Sequence, residues 1–388
     1  MTIQDDPPWR RVLEGTLGIP ASEGNRVEVL RDGRTIFPAM LEAIGAATRT
    51  VDLLTFVYWR GDVARRFAEV LCDRAAAGVR CRVILDALGA RHVDRALIED
   101  MVTAGVQLHW FRPLIDAGDT RNPGHRTHRK VLVCDEEVGF VGGVGIAEEW
   151  DGSSDDGTGW RETQLRLRGP IVDGLRAAFL DDWIEEADDP FDDRDRFPVQ
   201  PADGPTTAMV VRGESEEGWS DVAMLRRVLF ARARRRIRIT TPYFAPDEVM
   251  FAALARAASR GVQVQLLLPG PNNDKEVARL ATERRYPDLL EAGIELYHFV
   301  PTMLHAKVLT VDGETGIVGS ANLNHRSLQI DEEVDVVLLD PEVVAQLDDQ
   351  TDDDLRRCEQ LSTEVLDGAA ATARKPLRLL TGLIERWT

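Results

Sequence analysis

Two short stretches of the sequence carry a histidine followed two positions later by a lysine, and both continue in the same way. Residues 128–145 read HRKVLVCDEEVGFVGGVG, and residues 305–322 read HAKVLTVDGETGIVGSAN. The intervals from the histidine to the lysine, the aspartate and the glycine are identical in the two stretches. Only four of the 47 basic residues are lysines, and two of those four lie in these motifs. The matched pair therefore indicates a shared chemical role.

In an extended strand, residues i and i+2 point to the same face. His128 and Lys130 therefore project together. His305 and Lys307 do the same in the second motif. If the motifs meet, two imidazoles and two ammonium groups surround one point, which suits a phosphodiester: one histidine attacks phosphorus, the other protonates the leaving oxygen, and the lysines neutralise the phosphate oxygens. Because the lysines supply positive charge, this scheme predicts that no metal and no other cofactor takes part.

Four further residues are candidates for binding the phosphate. Gly143 and Ser320 are small, so the backbone and a hydroxyl can approach the phosphate closely at these positions. Asn322 offers an amide donor, although Ser320 and Asn322 are also ordinary turn residues. Arg126, two positions before the first motif histidine, is either a phosphate ligand or a loop cation.

A nucleophilic imidazole has to be oriented by an acid on its second nitrogen. Glu162 and Glu333 each open an apolar strand that follows the motif of their own half. We therefore expect each glutamate to return beside the histidine of its own motif; the alternative is a solvated strand end. The acids five residues after the lysines, Asp135 and Asp312, are expected to form turns and to be structural.

The elements around the motifs are also duplicated. AAAGVRCRVILD at 75–86 is echoed by AASRGVQVQLLLP at 257–269, and each half reads as alternating strands and helices that end in the hairpin with the motif. This order predicts an α/β fold of two similar α/β/α halves, each with a mixed sheet and helices on both faces. The predicted division is a first half at 1–190, an acidic, proline-containing linker at 191–206 and a second half at 207–388.

Composition narrows the class of partner. The chain of 388 residues has a net charge of -19, which disfavours a nucleic-acid partner. It has no run of 18 apolar residues and no secretory signal at its start, so we expect neither a membrane span nor export. The four cysteines are widely separated and form no CxxC motif, which favours a reducing compartment.

Two features bear on lipid binding. The segment 374–388 mixes basic and apolar residues and is either an amphipathic helix in the lipid interface or a helix that packs on the protein. The aromatic pairs Tyr58-Trp59 and Tyr243-Phe244 occupy matching strand ends in the two halves. They either line an entrance for acyl chains or pack in the core.

The quoted motifs resemble the duplicated HKD motif of the phospholipase D superfamily, and more narrowly the bacterial cardiolipin synthases. The resembling stretches are 24–44, 125–150, 160–170 and 305–340. The resemblance implies two halves related by a pseudo-twofold axis that share one site, and a covalent phosphohistidine, with His128 the nucleophile and His305 the acid. Gly145 departs from the family pattern, which usually has Asn there, so the first half lacks that phosphate donor.

The resulting hypothesis is a metal-independent phosphatidyltransferase, similar to cardiolipin synthase, that acts on a phospholipid such as phosphatidylglycerol. We expect a monomer that binds peripherally to the cytoplasmic face of the cell membrane. Two alternatives remain open: a phospholipase D-type hydrolase with water as the acceptor, and a non-catalytic scaffold that kept the fold.

Overall fold

A computed structural model describes residues 8–113, 124–213 and 220–363. The strands of the first half are β1 (Ser22–Arg31), β2 (Thr50–Thr55), β3 (Arg80–Asp86), β4 (Gln107–Phe111), β5 (Val131–Cys134), β6 (Val138–Gly142) and β7 (Thr163–Arg168). Its helices are α1 (Trp9–Leu17), α2 (Asp32–Ala46), α3 (Asp62–Ala76), α4 (Arg95–Thr103) and α5 (Ile171–Glu186), with a short 3₁₀ turn at Glu148–Trp150.

The second half repeats this order. Its strands are β8 (Thr206–Gly213), β9 (Arg236–Thr240), β10 (Phe244–Ala245), β11 (Gln263–Pro269), β12 (Glu295–Phe299), β13 (Val308–Val311), β14 (Thr315–Gly319), β15 (Leu323–Asn324), β16 (Glu333–Leu338) and β17 (Cys358–Leu361). Its helices are α6 (Asp221–Arg232), α7 (Glu248–Ser259), α8 (Glu276–Glu283), α9 (Tyr286–Glu291), α10 (His325–Gln329) and α11 (Pro341–Leu355).

The two halves join into one continuous sheet of 15 strands. Its order is β17-β12-β11-β9-β13-β14-β16-β8-β1-β7-β6-β5-β2-β3-β4. Strands β8 and β1 pair antiparallel at the centre, and counting outward from this pair, seven strands of one half match seven of the other in order. Strand β17 at the second-half edge has no counterpart, and β10 and β15 form a separate two-stranded sheet. The predicted α/β fold of two pseudo-twofold halves is therefore confirmed, and the pairing of β1 with β8 adds that the two mixed sheets merge into one.

Three apolar cores flank this sheet. One contains residues of α2, α3 and the first-half strands, and a second contains residues of α6, α7 and the second-half strands. The third lies between α5, α11 and the central strands of both halves. Leu13 of α1 belongs to the second-half core. Helix α1 therefore packs on the second half, although it belongs to the first half in sequence.

The turn after each motif strand is built around an aspartate with a positive φ. Asp135 (φ 54°) accepts hydrogen bonds from the backbone N–H groups of Thr48, Arg49 and Thr50, at 2.7 to 2.9 Å. Asp312 (φ 57°) does the same for residues 234–236. Each carboxylate thus ties its hairpin to the start of the neighbouring strand, which sets the position of the motif at the strand's other end.

Residues 187–205 contain no helix or strand, and the aspartates in this segment hold it to the sheet: Asp192 and Asp195 accept from the buried Arg80. The segment 374–388, expected to be amphipathic, lies outside the described residues. Among the helices described, none combines the length and the apolar character needed to cross a bilayer.

Candidate active site

Each histidine-lysine motif is held by the other half of the molecule. The backbone N–H of His128 donates to the carbonyl oxygen of Glu332 at 2.8 Å. The backbone N–H of His305 donates to the carbonyl oxygen of Arg161, also at 2.8 Å. Each motif therefore runs alongside the residues that open a strand of the opposite half, β16 in one case and β7 in the other.

As a result, the histidine–glutamate pairs are crossed between the halves. Nδ1 of His128 lies 3.0 and 3.1 Å from the two carboxylate oxygens of Glu333. Nδ1 of His305 lies 2.7 Å from Oε2 of Glu162. The expectation that each glutamate serves the histidine of its own motif was wrong, because the strand start next to each motif comes from the other half. In both pairs the carboxylate engages Nδ1, which leaves Nε2 for chemistry.

The two lysines are buried beside the histidines. The ammonium of Lys130 donates to the carbonyl oxygen of His128 at 2.6 Å, and that of Lys307 donates to the carbonyl oxygen of His305 at 2.5 Å. Lys307 Nζ also lies beside the His305 ring, 2.8 Å from Nδ1 and 3.2 Å from Nε2. The charge of Lys130 lowers the pKa values of both Lys307 and His305 in addition to burial. The two motifs are therefore close enough to act on each other.

Burial changes the protonation of these groups. It lowers the pKa of Lys130 to about 8 and that of Lys307 to about 7, because the charged ammonium is poorly solvated. It likewise lowers the pKa of His128 to about 4 and that of His305 well below its usual range. Without substrate, both imidazoles are therefore neutral at pH 7, the form in which a histidine is a nucleophile.

The two glutamates respond differently to burial. For Glu333, burial opposes ionisation, but the charge and hydrogen bond of His128 outweigh it and lower the pKa to about 2. For Glu162, burial dominates and the pKa is raised, although the charge of Lys307 opposes the shift. Glu333 is thus a firmly ionised partner for His128, while the Glu162 carboxylate is held less strongly in its charged form.

The small residues after the motifs contact the glutamates. A Cβ atom at Gly143 would lie 2.8 Å from both carboxylate oxygens of Glu162, so a side chain does not fit there. At the matching position in the second half, the Ser320 hydroxyl donates to Glu333 at 2.5 Å. Both residues contact the carboxylates behind the histidines, and their predicted approach to the phosphate stays a prediction.

Asn322 remains a candidate donor to the phosphate. Its side chain is 3% exposed, and its Oδ1 atom has no hydrogen-bond partner in the structure. A buried amide oxygen without a partner is costly, but an oxygen accepts and cannot donate to a phosphate. Only Nδ2 could donate, so the predicted role of Asn322 stays a prediction.

The predicted phosphate contact of Arg126 does not fit its position. The guanidinium is buried, with Nε 2.9 Å from Asp86 and its other nitrogens donating to the backbone carbonyls of Phe111 and Arg112. Arg126 thus ties the approach to the first motif to the ends of β3 and β4. The sequence allows either a phosphate ligand or a loop cation at position 126, and it does not reveal the ion pair because Asp86 is remote in the sequence.

Comparison with known proteins places the chain in a family. The profile of the family described as "Cardiolipin synthase, PLD-like domain" matches residues 40–150 and 227–355. The chain belongs to this family. The cardiolipin synthase of Geobacillus thermodenitrificans is 32% identical over 321 residues, and cardiolipin synthase A of Pseudomonas aeruginosa is 35% identical over 322 residues. The alignments cover 82% and 83% of this chain but only 64% and 65% of those relatives.

A solved structure supports the fold of this phospholipase D-like chain. The phosphatidylserine synthase of Haemophilus influenzae superposes with a TM-score of 0.72 over 97% of this chain and 95% of that one, at 14% identity. The predicted resemblance to the phospholipase D superfamily and its cardiolipin synthase branch is therefore confirmed. In the described parts of the chain, no group of three or more histidine, cysteine, aspartate or glutamate side chains is arranged to hold a metal ion.

Sequence reasoning missed Trp150. Its indole Nε1 lies 3.3 Å from Oε2 of Glu162, and its ring stands edge-on to the His305 ring at 5.0 Å and 90°. A Cβ atom at Gly145 would lie 2.8 Å from Cβ of Val57 and 3.1 Å from this indole, so the missing side chain at position 145 leaves room for both Val57 and Trp150. The signal in the sequence was the unusual glycine, which marks a close approach rather than only a lost donor.

Proposed function

We propose that this protein transfers a phosphatidyl group from one phospholipid to a hydroxyl of a second, as a cardiolipin synthase does, through a phosphohistidine on His128. The observation that carries the proposal is the crossed site: two imidazoles, each backed at Nδ1 by a buried glutamate, together with two buried lysines from opposite halves. The relatives that this chain resembles are cardiolipin synthases, and they supply the reaction class for the proposal.

In the first step, Nε2 of His128 attacks phosphorus. The Nε2–P bond forms, the bond from phosphorus to the leaving alcohol breaks, and a proton from His305 passes to the leaving oxygen. Glu333 favours this attack because an ionised carboxylate on Nδ1 stabilises the cationic imidazole that results. Lys130 and Lys307 neutralise the charge on the nonbridging oxygens, which is why we propose that no metal is required.

His305 must carry a proton when the first step begins. The negative charge of a bound phosphodiester opposes the effect of the lysines on His305 and so raises its pKa toward the value that a general acid needs. In the second step the now neutral His305 takes the proton of the acceptor hydroxyl. The acceptor O–P bond forms and the Nε2–P bond breaks, which restores His128.

The site also bears on assembly and location. A single chain supplies both motifs and both glutamates, which supports a monomer as the active form. A phospholipid substrate resides in a bilayer, which supports peripheral binding to a membrane surface. The four cysteines form no disulfide in the structure, in keeping with the cytoplasmic face.

The test is to trap the covalent intermediate. We expect rapid mixing with labelled phosphatidylglycerol, followed by denaturation, to leave one acid-labile, base-stable phosphatidyl adduct on His128. His128→Asn should form no adduct and lose at least about 10²–10⁴-fold in transfer rate. His298→Gln is the matched control, since His298 lies on β12 and bonds Tyr286 rather than the site.

Product analysis separates the remaining hypotheses. Transfer to an added alcohol or lipid hydroxyl supports the transferase, release of phosphatidic acid alone indicates a hydrolase, and the absence of both adduct and product indicates a scaffold. An adduct on another residue, or wild-type rates in His128→Asn, would contradict the proposed mechanism.

A further inference from the structure

A third lysine lies at the edge of the site. The Lys275 ammonium sits 4.7 Å from the centre of the Tyr243 ring, and the Tyr243 ring centre is 6.3 Å from that of His305. Because the two distances share one ring, they limit how far Lys275 can be from the reacting histidine. The charge of Lys275 also contributes, after burial and the motif lysines, to the lowered pKa of His305. The Tyr243 ring is thus a shared neighbour of Lys275 and the motif histidine His305.

Lys275 is exposed, and among the described residues its ammonium forms no ion pair. Two acids, Asp274 and Asp331, act on it through their charge without contacting it. Asp274 accepts from the Tyr243 hydroxyl at 2.7 Å, and Asp331 is paired with Arg326. The partner that Lys275 does have is the face of Tyr243, which leaves its positive charge available to an anion.

A second exposed cation lies near Lys275. Arg91, in the loop after β3 of the other half, is close enough for its charge to act on Lys275. The chain has a net charge of -19, yet neither of these two cations has an ion-pair partner among the described residues.

The reacting phosphodiester does not need these cations. It carries one negative charge, and Lys130 and Lys307 are the cations beside the reacting histidines. The leaving group of phosphatidylglycerol is an uncharged glycerol. A further positive charge beside the site therefore fits a second anion, and an acceptor phospholipid brings one, since its own phosphate lies one glycerol away from the hydroxyl that attacks.

We propose that Lys275, held on Tyr243, binds the phosphate of the acceptor lipid and so makes the enzyme prefer an anionic phospholipid over a neutral alcohol or water. The proposal rests on the transferase function. It assigns Lys275 to acceptor specificity and not to the phosphoryl-transfer step.

The test compares two soluble acceptors that differ in one phosphate, glycerol 3-phosphate and glycerol, with phosphatidylglycerol as donor and the full chain as enzyme. For Lys275→Gln, we expect the ratio of kcat/KM for glycerol 3-phosphate to that for glycerol to fall about tenfold, as for the loss of one charge-assisted contact. Lys275→Arg should keep most of the ratio. Arg11→Gln, which removes an exposed charge from α1, is the control and should leave the ratio unchanged.

Inorganic phosphate distinguishes the source of the anion. If the acceptor's phosphate occupies the subsite, inorganic phosphate should raise the KM for glycerol 3-phosphate and leave the rate with glycerol unaltered. A change in the glycerol rate would indicate a free-phosphate site and overturn the proposal, as would an equal loss with both acceptors in Lys275→Gln, which assigns the lysine to the reacting phosphate. A wild-type enzyme that transfers to neither acceptor overturns the proposed function itself.

Discussion

The two halves of the molecule share one framework but build different surroundings for their histidines. His128 has the phenyl ring of Phe56 beside it, and its glutamate is held by the Ser320 hydroxyl. His305 stands among three aromatic rings, those of Trp150, Trp160 and Tyr243. The glutamate behind His305 accepts from an indole rather than from a hydroxyl.

In the proposed mechanism, this difference separates the roles of the two histidines. We propose that the firmly ionised Glu333 stabilises a cationic His128, which is what a nucleophile needs as its bond to phosphorus forms. The apolar surroundings of His305 oppose its protonation in the empty site, so its proton depends on the bound substrate. One repeated motif can thus supply a nucleophile in one half and an acid in the other, because the groups around the two histidines differ.

The largest effect is expected from variants that disrupt the crossed histidine–glutamate pairs. Glu333→Gln should slow phosphatidyl-enzyme formation about 10²–10⁴-fold for any leaving group, because His128 loses the charge on Nδ1. Glu162→Gln should form the phosphatidyl-enzyme slowly when the leaving group is an alcohol. The rate should recover when the leaving group is p-nitrophenolate, because this anion leaves without taking up a proton. Single-turnover kinetics with the two substrates measures this. The opposite pattern would show that each glutamate serves its own half.

A smaller effect, about tenfold, is expected from pH. The lysine pKa values are lowered to about 7 and about 8, so the charged form is present below these values and is lost as the pH rises through them. A phosphodiester stays a monoanion throughout. The affinity of the His128→Asn variant for short-chain phosphatidylglycerol should therefore decrease as the pH is raised from 6 to 9. Calorimetric titration measures this affinity. Adding Lys307→Arg, which stays charged, should flatten the curve; a curve that was flat already would contradict the buried-lysine assignment.

The smallest effects compare the groups behind the glutamates. Ser320→Ala removes a hydrogen bond to an ionised carboxylate and should lower kcat about 5- to 10-fold, whereas Trp150→Phe removes one to Glu162 and should lower kcat only about 2- to 5-fold. Loss of the indole N–H raises the pKa of Glu162, so the acid limb of the kcat profile of Trp150→Phe should move to higher pH. An unshifted profile with a lowered melting temperature would make Trp150 merely structural.

Much of this molecule could be predicted from local pattern. The histidine and lysine of each motif share a face because a strand alternates its side chains, whatever surrounds it. The repeated order of strands and helices predicts two similar layered halves for the same reason. Asp135 and Asp312 could be placed in turns from their position in the hairpins, and both accept from three consecutive backbone N–H groups.

Contacts between distant segments decided the rest. Glu162 and Glu333 are equally suited to either histidine in type and spacing, and only the docking of β7 and β16 beside the opposite motifs assigns them. Arg126 is a buried partner of Asp86 rather than a phosphate ligand for the same reason. Trp150 lies in a short 3₁₀ turn, and no periodic pattern in the sequence there predicts where its side chain points. Spacing along a chain fixes which side chains share a face, but which faces meet depends on how the halves pack.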